Sequence, residues 1–253
     1  MKIISTQSKN DMGRAAADVI AAQIHEKPDS VLGLATGETP REAYAGLIAD
    51  YEAGALDFSR VVTFNLDEYV GLPYDNDQSY HWYMNDALFK HVNVEAGNTH
   101  VPLGMAEDTT QACRDYDAAI AEAGGLDLQL LGIGVNGHIA FNEPDDEFVK
   151  WTHVVDLTPS TIEVNSQYFP SREDMPTTAI TMGIKSIFLA KKIVLVASGA
   201  GKADIVHQAF FGPITPEVPA SILQMHPDVT LICDEDAITE IAANEPDAVV
   251  EER

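Results

Sequence analysis

Cysteine is nearly missing from this chain: Cys113 and Cys233 are the only two in 253 residues, far apart and in no Cys-x-x-Cys pair. That excludes a disulfide framework and a thiolate metal site, and leaves both thiols as core residues. The eight histidines fall into no His-Glu-x-x-His or comparable set, so no metal and no cofactor is expected. Basic residues are also few, 15 Lys and Arg against 40 Asp and Glu, for a net charge of −25. Long-range repulsion from such a surface argues against nucleic acid and anionic membranes as partners. A small anionic ligand would need a pocket made locally favourable by backbone N–H groups and a few cations. No stretch approaches the ~18 apolar residues of a spanning helix. Met1 to Asn10 show no charged flank followed by an apolar run, and the expected compartment is the cytoplasm.

What is present is a 45% hydrophobic composition, enough for a substantial core. No linker, repeat or composition break interrupts it, so a single domain over 1–253 is expected, with a polar tail at about 244–253. Met12, Ala15, Ala16, Val19, Ile20 and Ile24 recur at helical spacing between Asp11 and Lys27. The apolar run Val31–Ala35 reads as a strand, and after it Thr39 can cap, and Pro40 begin, a helix to about Glu52. Val61–Leu66 reads as a buried strand with Asp67 and Glu68 at its carboxyl end. Helices follow from Ser79 to Lys90 and from Thr110 to Ala123. Then come strands at Leu126–Leu131, Ala179–Thr181 and Ile193–Ala197, a helix from Gly201 to Phe211, a strand at Val229–Cys233 and a closing helix. Strands separated by helical segments predict an α/β fold, a mostly parallel sheet with helices on both faces. In such sheets ligands sit beyond the carboxyl ends of the strands, so the loops after Ala35, Leu66, Leu131 and Ala197 should converge on one site.

Several motifs bear on that site. Gly132-Ile-Gly-Val-Asn-Gly137 matches G-x-G-x-x-G after a strand, yet a dinucleotide turn needs a helix there, and His138 to Pro144 show no helical spacing. The glycines instead let the backbone turn tightly beside a ligand. Ser198-Gly-Ala-Gly-Lys202 resembles the end of a phosphate loop but lacks its first glycine and its Mg²⁺-binding hydroxyl, which argues against a nucleoside triphosphate. Lys202 could still hold a single phosphate as a point charge, or could be a solvated lysine. His138, with Asn136 and Glu143 nearby, is either an imidazole oriented by an amide and a carboxylate or a satisfied loop residue. Asp67 either caps a turn or is a base at a strand end.

Leu32 to Gly37, Asn65 to Leu72, Ser79-Tyr80, Ala179 to Ile184, Pro219-Ala-Ser221 and above all Gly132 to Pro144 closely resemble the glucosamine-6-phosphate deaminase family, over nearly the whole chain. The resemblance implies a Rossmann-like fold of the isomerase/lactonase type. It also implies a cofactor-independent isomerisation and deamination of a sugar phosphate, glucosamine 6-phosphate, to fructose 6-phosphate and ammonia. By the same resemblance Asp67 moves a proton from C2 to C1, His138 opens the ring, and Asn136 and Glu143 orient that imidazole. Thr36, Gly37, Thr39 and Lys202 become substrate-binding candidates. Many members carry Asp where Asn136 stands, and others carry Asn; an amide can hold the imidazole but cannot relay charge. Glu38 replaces a small residue, and Gln167 stands where an arginine is frequent, which predicts weaker phosphate binding, with Arg172 as a further cation. Hexameric, allosteric members have a longer C-terminal region, so a monomer is expected. The competing readings are a lactonase of the same broad fold, which has no C2 proton to move, and a sugar-phosphate sensor without turnover.

Overall fold

The apolar runs become the central strands of one sheet, and their alternation divides the core. In β9 (Lys192–Ala197), Ile193 and Leu195 pack on one face while Val194 and Val196 pack on the other. Strands buried on both faces must be apolar at nearly every position, which explains their continuous hydrophobic runs. The structure is a computed structural model describing the backbone of residues 1–253 and every side chain except those of Ser160 and Val164.

In chain order the elements are β1 (Lys2–Thr6), α1 (Lys9–Glu26), β2 (Val31–Leu34), α2 (Glu38–Glu52), β3 (Val62–Asn65), β4 (Asp67–Tyr69), α3 (Tyr80–Ala87) and β5 (Thr99–His100). Next come α4 (Thr109–Glu122), β6 (Leu128–Leu131), β7 (His153–Asp156), α5 (Pro159–Asn165), β8 (Thr178–Thr181) and α6 (Ile184–Phe188). After β9 follow α7 (Ala203–Phe211), β10 (Val229–Asp234), α8 (Thr239–Asn244) and β11 (Val250–Glu252). Eight parallel strands form the main sheet in the order β11-β1-β10-β9-β6-β2-β3-β5. Helices α1, α2 and α3 cover one face, and α4, α6, α7 and α8 the other. The expected α/β architecture is therefore the one observed.

From β2 the chain moves outward through β3 and β5, then returns to β6 on the other side of β2 and continues away from it. The loops after β2 and β6 consequently leave in opposite senses, opening a crevice between the two carboxyl ends, which is where a parallel sheet takes its ligands.

Several expectations need correction. Ala179–Thr181 is a strand, but it lies in a separate three-stranded antiparallel sheet, β4-β8-β7, in which Asp67 pairs with Thr181. Thr39 does not cap α2: Gly37 is the N-cap at φ 104°, and Thr39 sits inside the first turn. A glycine in that conformation lets the chain enter the helix two residues early, so Pro40 falls in the first turn but not at its first position. The segment from about 244 onward is polar as expected, yet Val250–Glu252 adds an edge strand beside Ile3–Ser5. Its side chains are exposed or half-buried, so no apolar pattern marks it.

Candidate active site

The crevice holds a cavity of about 370 Å³ lined by Thr36, Gly37, Thr39, Asp67, Asn136, His138 and Lys202, all predicted from sequence. Its volume falls within the range of small-molecule sites. Glu143 stands behind this wall, facing a smaller void of about 60 Å³, and reaches the cavity through its hydrogen bonds. All four expected loops supply the walls, the loop after β9 through Lys202.

Tertiary contacts fix each piece. Tyr44 of α2 donates its hydroxyl to the Ala35 carbonyl at 2.5 Å, and Tyr83 of α3 donates to the Gly37 carbonyl at 2.6 Å, so two tyrosines pin the turn that opens α2. Among the described residues no side chain caps the first N–H groups of α2. At the end of β3, Tyr116 donates to the carbonyl of Asn65 at 2.7 Å, just before Asp67. The small sheet joins the Asp67 strand to the His138 loop: Met182 N–H donates to the Leu66 carbonyl, Thr181 Oγ1 accepts from Phe141 N–H, and Asn142 Nδ2 donates to the Met182 carbonyl. Asp234 accepts from Ser198 Oγ and Gly199 N–H and so holds the turn that carries Lys202.

The centre of the loop is a short relay. Asn136 Nδ2 donates to Glu143 Oε2 at 2.7 Å, and Asn136 Oδ1 faces His138 Nδ1 at 2.7 Å. A carboxylate only accepts, so the amide must turn its nitrogen to Glu143 and its oxygen to the imidazole. Nδ1 of His138 therefore carries a hydrogen, and in the neutral ring Nε2 keeps a free lone pair. Glu143 Oε2 lies 3.4 Å from Nδ1, and Thr161 of α5 donates to Glu143 Oε1 at 2.5 Å. Burial pushes the Glu143 carboxyl up, but hydrogen bonds from His138, Thr161 and Asn136 prevail and hold it at about 2. The ring fits because position 134 is glycine: a Cβ there would meet imidazole atoms at 2.1–2.5 Å. Ala140, in the same loop, adopts φ 54°, a left-handed conformation that costs a non-glycine residue about 1 kcal/mol or more.

Asp67 has the opposite electrostatics. It is 6% exposed, and its Oδ1 is buried with no hydrogen-bond partner among the described residues. Burial, and then the neighbouring Glu68 charge, raise its carboxyl to about 8. Glu68 is fully buried and accepts three backbone N–H groups, from Tyr69, Tyr80 and His81; burial still moves it upward from the ordinary value. Lys202 is half-buried and donates Nζ to the Ile133 carbonyl at 2.7 Å, which removes the reading of a solvated lysine; burial lowers its pKa.

Tyr80, Phe141, Thr161 and Asn165 also line the cavity, and sequence reasoning singled out none of them as site residues. Thr158 as N-cap followed by Pro159 is a helix-start signal that could have revealed α5, which supplies Thr161 and Asn165. Glu38 stands at the cavity rim as expected, whereas Gln167 and Arg172 are exposed and outside the cavity wall, so Arg172 does not serve as the further cation. Among the described residues no group of three or more His, Cys, Asp or Glu side chains converges as a metal site, and no helix is long and apolar enough to cross a membrane.

Comparison with known proteins places this geometry in context. The family described as glucosamine-6-phosphate isomerases/6-phosphogluconolactonase matches residues 5–232. A glucosamine-6-phosphate deaminase of Lachnoclostridium phytofermentans is 56% identical over 233 residues, covering 92% of this chain and 99% of that protein. One of Clostridioides difficile is 53% identical over 241 residues, covering 95% and 97%. Among solved structures, a monomeric glucosamine-6-phosphate deaminase superposes with a TM-score of 0.92 at 44% identity, covering 95% of this chain and 100% of that one. A 6-phosphogluconolactonase from Trypanosoma brucei shares the fold, with a TM-score of 0.72 at 19% identity over 95% of this chain and 98% of its own.

Proposed function

Because the chain belongs to the family of glucosamine-6-phosphate isomerases and 6-phosphogluconolactonases, we propose that its cavity is the active site of a deaminase in which Asp67 moves the carbon-bound proton and His138 opens the ring. The enzyme converts glucosamine 6-phosphate to fructose 6-phosphate and ammonia, a step of amino-sugar breakdown. One observation carries the division of roles: the His138 imidazole with its free Nε2 and the Asp67 carboxyl, paired with no cation among the described residues, are prepared by opposite environments and line the same cavity.

The chemistry follows from that pairing. Nε2 of His138 takes the proton of the anomeric hydroxyl as the C1–O5 bond breaks, and the imidazolium returns it to O5. Glu143, ionised and 3.4 Å from Nδ1, stabilises the imidazolium in between. In the open aldehyde the C2 hydrogen lies between a carbonyl and an ammonium, which makes it acidic enough for a positioned carboxylate. Asp67 is ready for this only once ionised, and the substrate's ammonium supplies a positive partner for its carboxylate. Asp67 takes the C2 proton, an ammonium proton passes to O1, and Asp67 returns its proton to C1. The result is a C2 iminium, to which water adds as ammonia leaves. The 6-phosphate is placed at the opening of α2, beside Thr36, Gly37 and Thr39, with Lys202 as its cation.

Ammonia and fructose 6-phosphate released from glucosamine 6-phosphate in chelating buffer test the reading. Ester hydrolysis of 6-phosphogluconolactone without ammonia release from the amino sugar would replace it with the lactonase. A monomer in the cytoplasm accords with the monomeric relative and the acidic surface, and light scattering on the purified protein tests the oligomeric part.

A further inference from the structure

We infer that Glu68, which does not line the cavity, is a specificity-determining residue. Together with Asp67 it forms a receptor for the ammonium group at C2, and so selects an amino sugar phosphate over its hydroxy counterpart. This rests on the deaminase reading of the same site and adds to it a residue outside the cavity wall.

Asp67 and Glu68 are consecutive in β4, and both are buried. Their side chains point to opposite sides of the strand, as alternation requires. Asp67 faces the cavity, and Glu68 faces the N-terminus of α3. Among the described residues neither carboxyl pairs with a lysine, arginine or histidine. Lys202, the cation on the cavity wall, donates to the Ile133 carbonyl, pairs with neither carboxyl, and keeps two N–H donors for the 6-phosphate. Two adjacent carboxyl groups thus share a low-dielectric region without a counter-ion, a costly arrangement unless a ligand supplies the positive charge.

The two groups differ in how they are satisfied. Glu68 Oε1 accepts from Tyr69 N–H at 2.8 Å and Tyr80 N–H at 3.0 Å, and Oε2 from His81 N–H at 2.9 Å. Tyr80 and His81 open α3, where Ser79 Oγ takes the Trp82 N–H, so two side chains meet three of the four terminal donors and the Asn76 carbonyl takes the Ser79 N–H. Glu68 is held rigidly and cannot swing toward a cation. Asp67 Oδ1, by contrast, is buried with no partner among the described residues, while the residue's small exposed part lines the cavity. A hydroxyl at C2 could donate a hydrogen bond to the Asp67 carboxyl but would not answer the second charge. An ammonium answers both, one by contact and one through space.

Packing keeps the pair in place. A Cβ on Gly104 would fall 2.0 Å from the Tyr69 carbonyl oxygen and 3.3 Å from Glu68 Cγ, so only a glycine allows that loop to close over β4. Helix α3 carries Tyr80 into the cavity wall and Tyr83 onto the Gly37 carbonyl, which links Glu68 to the opening of α2 as well.

The test compares two unreactive open-chain ligands, 2-amino-2-deoxyglucitol 6-phosphate and glucitol 6-phosphate, by calorimetry on wild type, Glu68→Gln and Glu68→Asp. The wild type should prefer the amine by at least about tenfold, in line with one ion contact in a partly buried site. Glu68→Gln should lower that preference by roughly 3- to 10-fold, through loss of a through-space charge, with glucitol 6-phosphate affinity almost unchanged. Glu68→Asp keeps the charge and should keep the preference. A parallel loss of affinity for both ligands in Glu68→Gln, or an unchanged ratio, would make Glu68 a helix cap alone and overturn the inference. Should Glu68→Gln fail to fold, a wild-type ratio near one overturns it equally. Ammonia release by the wild type is scored separately, so failure of the deaminase reading and failure of this inference give different results.

Discussion

Asn136 holds His138 by its amide oxygen, 2.7 Å from Nδ1, because its amide nitrogen is already committed to Glu143. The asymmetry of one side chain therefore decides which imidazole nitrogen is free for the substrate. Asn136→Leu preserves volume but removes both contacts, and kcat should fall by about 10²-fold or more, the usual weight of positioned acid–base catalysis. Asn136→Asp still offers an oxygen to Nδ1 and should retain activity within about tenfold, on the same scale. Steady-state kinetics on both variants check this.

A second prediction concerns backbone space. Since a Cβ at position 134 would overlap the His138 ring, Gly134→Ala must displace the imidazole. A shift of about 1 Å at a catalytic group can cost on the order of 10²-fold in rate. The expected outcome is a folded protein with an unchanged far-ultraviolet spectrum and a strongly reduced kcat.

Asp67 predicts a conflict between stability and activity. Its carboxyl titrates at about 8 in the folded chain, against an ordinary value of 3.8. Between those values the native state holds a proton that the unfolded state has released, so this group's contribution is full below about pH 4 and is lost as pH rises toward about 8. Asp67→Asn abolishes the titration. At pH 8 the variant should melt about 3 °C or more above the wild type, and the gap should close by pH 4. Thermal denaturation at pH 4, 6 and 8 reads the trend.

At the proposed phosphate end, Lys202→Met removes the cation while keeping most of the packing. KM should rise about tenfold or more, the value of a charge-assisted contact, with a smaller change in kcat. Glu38→Ser removes an exposed carboxylate from the cavity rim and should lower KM by about twofold, an effect that 0.5 M salt erases through screening.

Much of the main sheet was legible because strands buried on both faces are apolar runs, as in Val31–Ala35 and Ile193–Ala197, while Val61–Leu66 was legible despite its buried Thr63 and Asn65. The loop from Gly132 to Pro144 was legible through its distinctive residues, and Asn136, His138 and Glu143 are joined there by hydrogen bonds. Harder to see were elements defined by their partners. β7 alternates half-buried and exposed residues, and β4 is three residues long and begins at the candidate base itself. That β8 leaves the main sheet to pair with β4 is a tertiary choice with no local signature. The lining residues Thr161 and Asn165 were missed because α5 is short. Glu68 was read as a strand-end acid beside Asp67, and only the folded chain shows its three N–H donors.

The central claim is that Asp67 carries hydrogen from C2 to C1. The most direct measurement is kcat of Asp67→Asn with glucosamine 6-phosphate, under conditions where the variant's fold and its binding of glucitol 6-phosphate are verified. A fall of about 10³-fold or more is predicted, within the usual range for loss of a general base. A kcat within threefold of the wild type would contradict it.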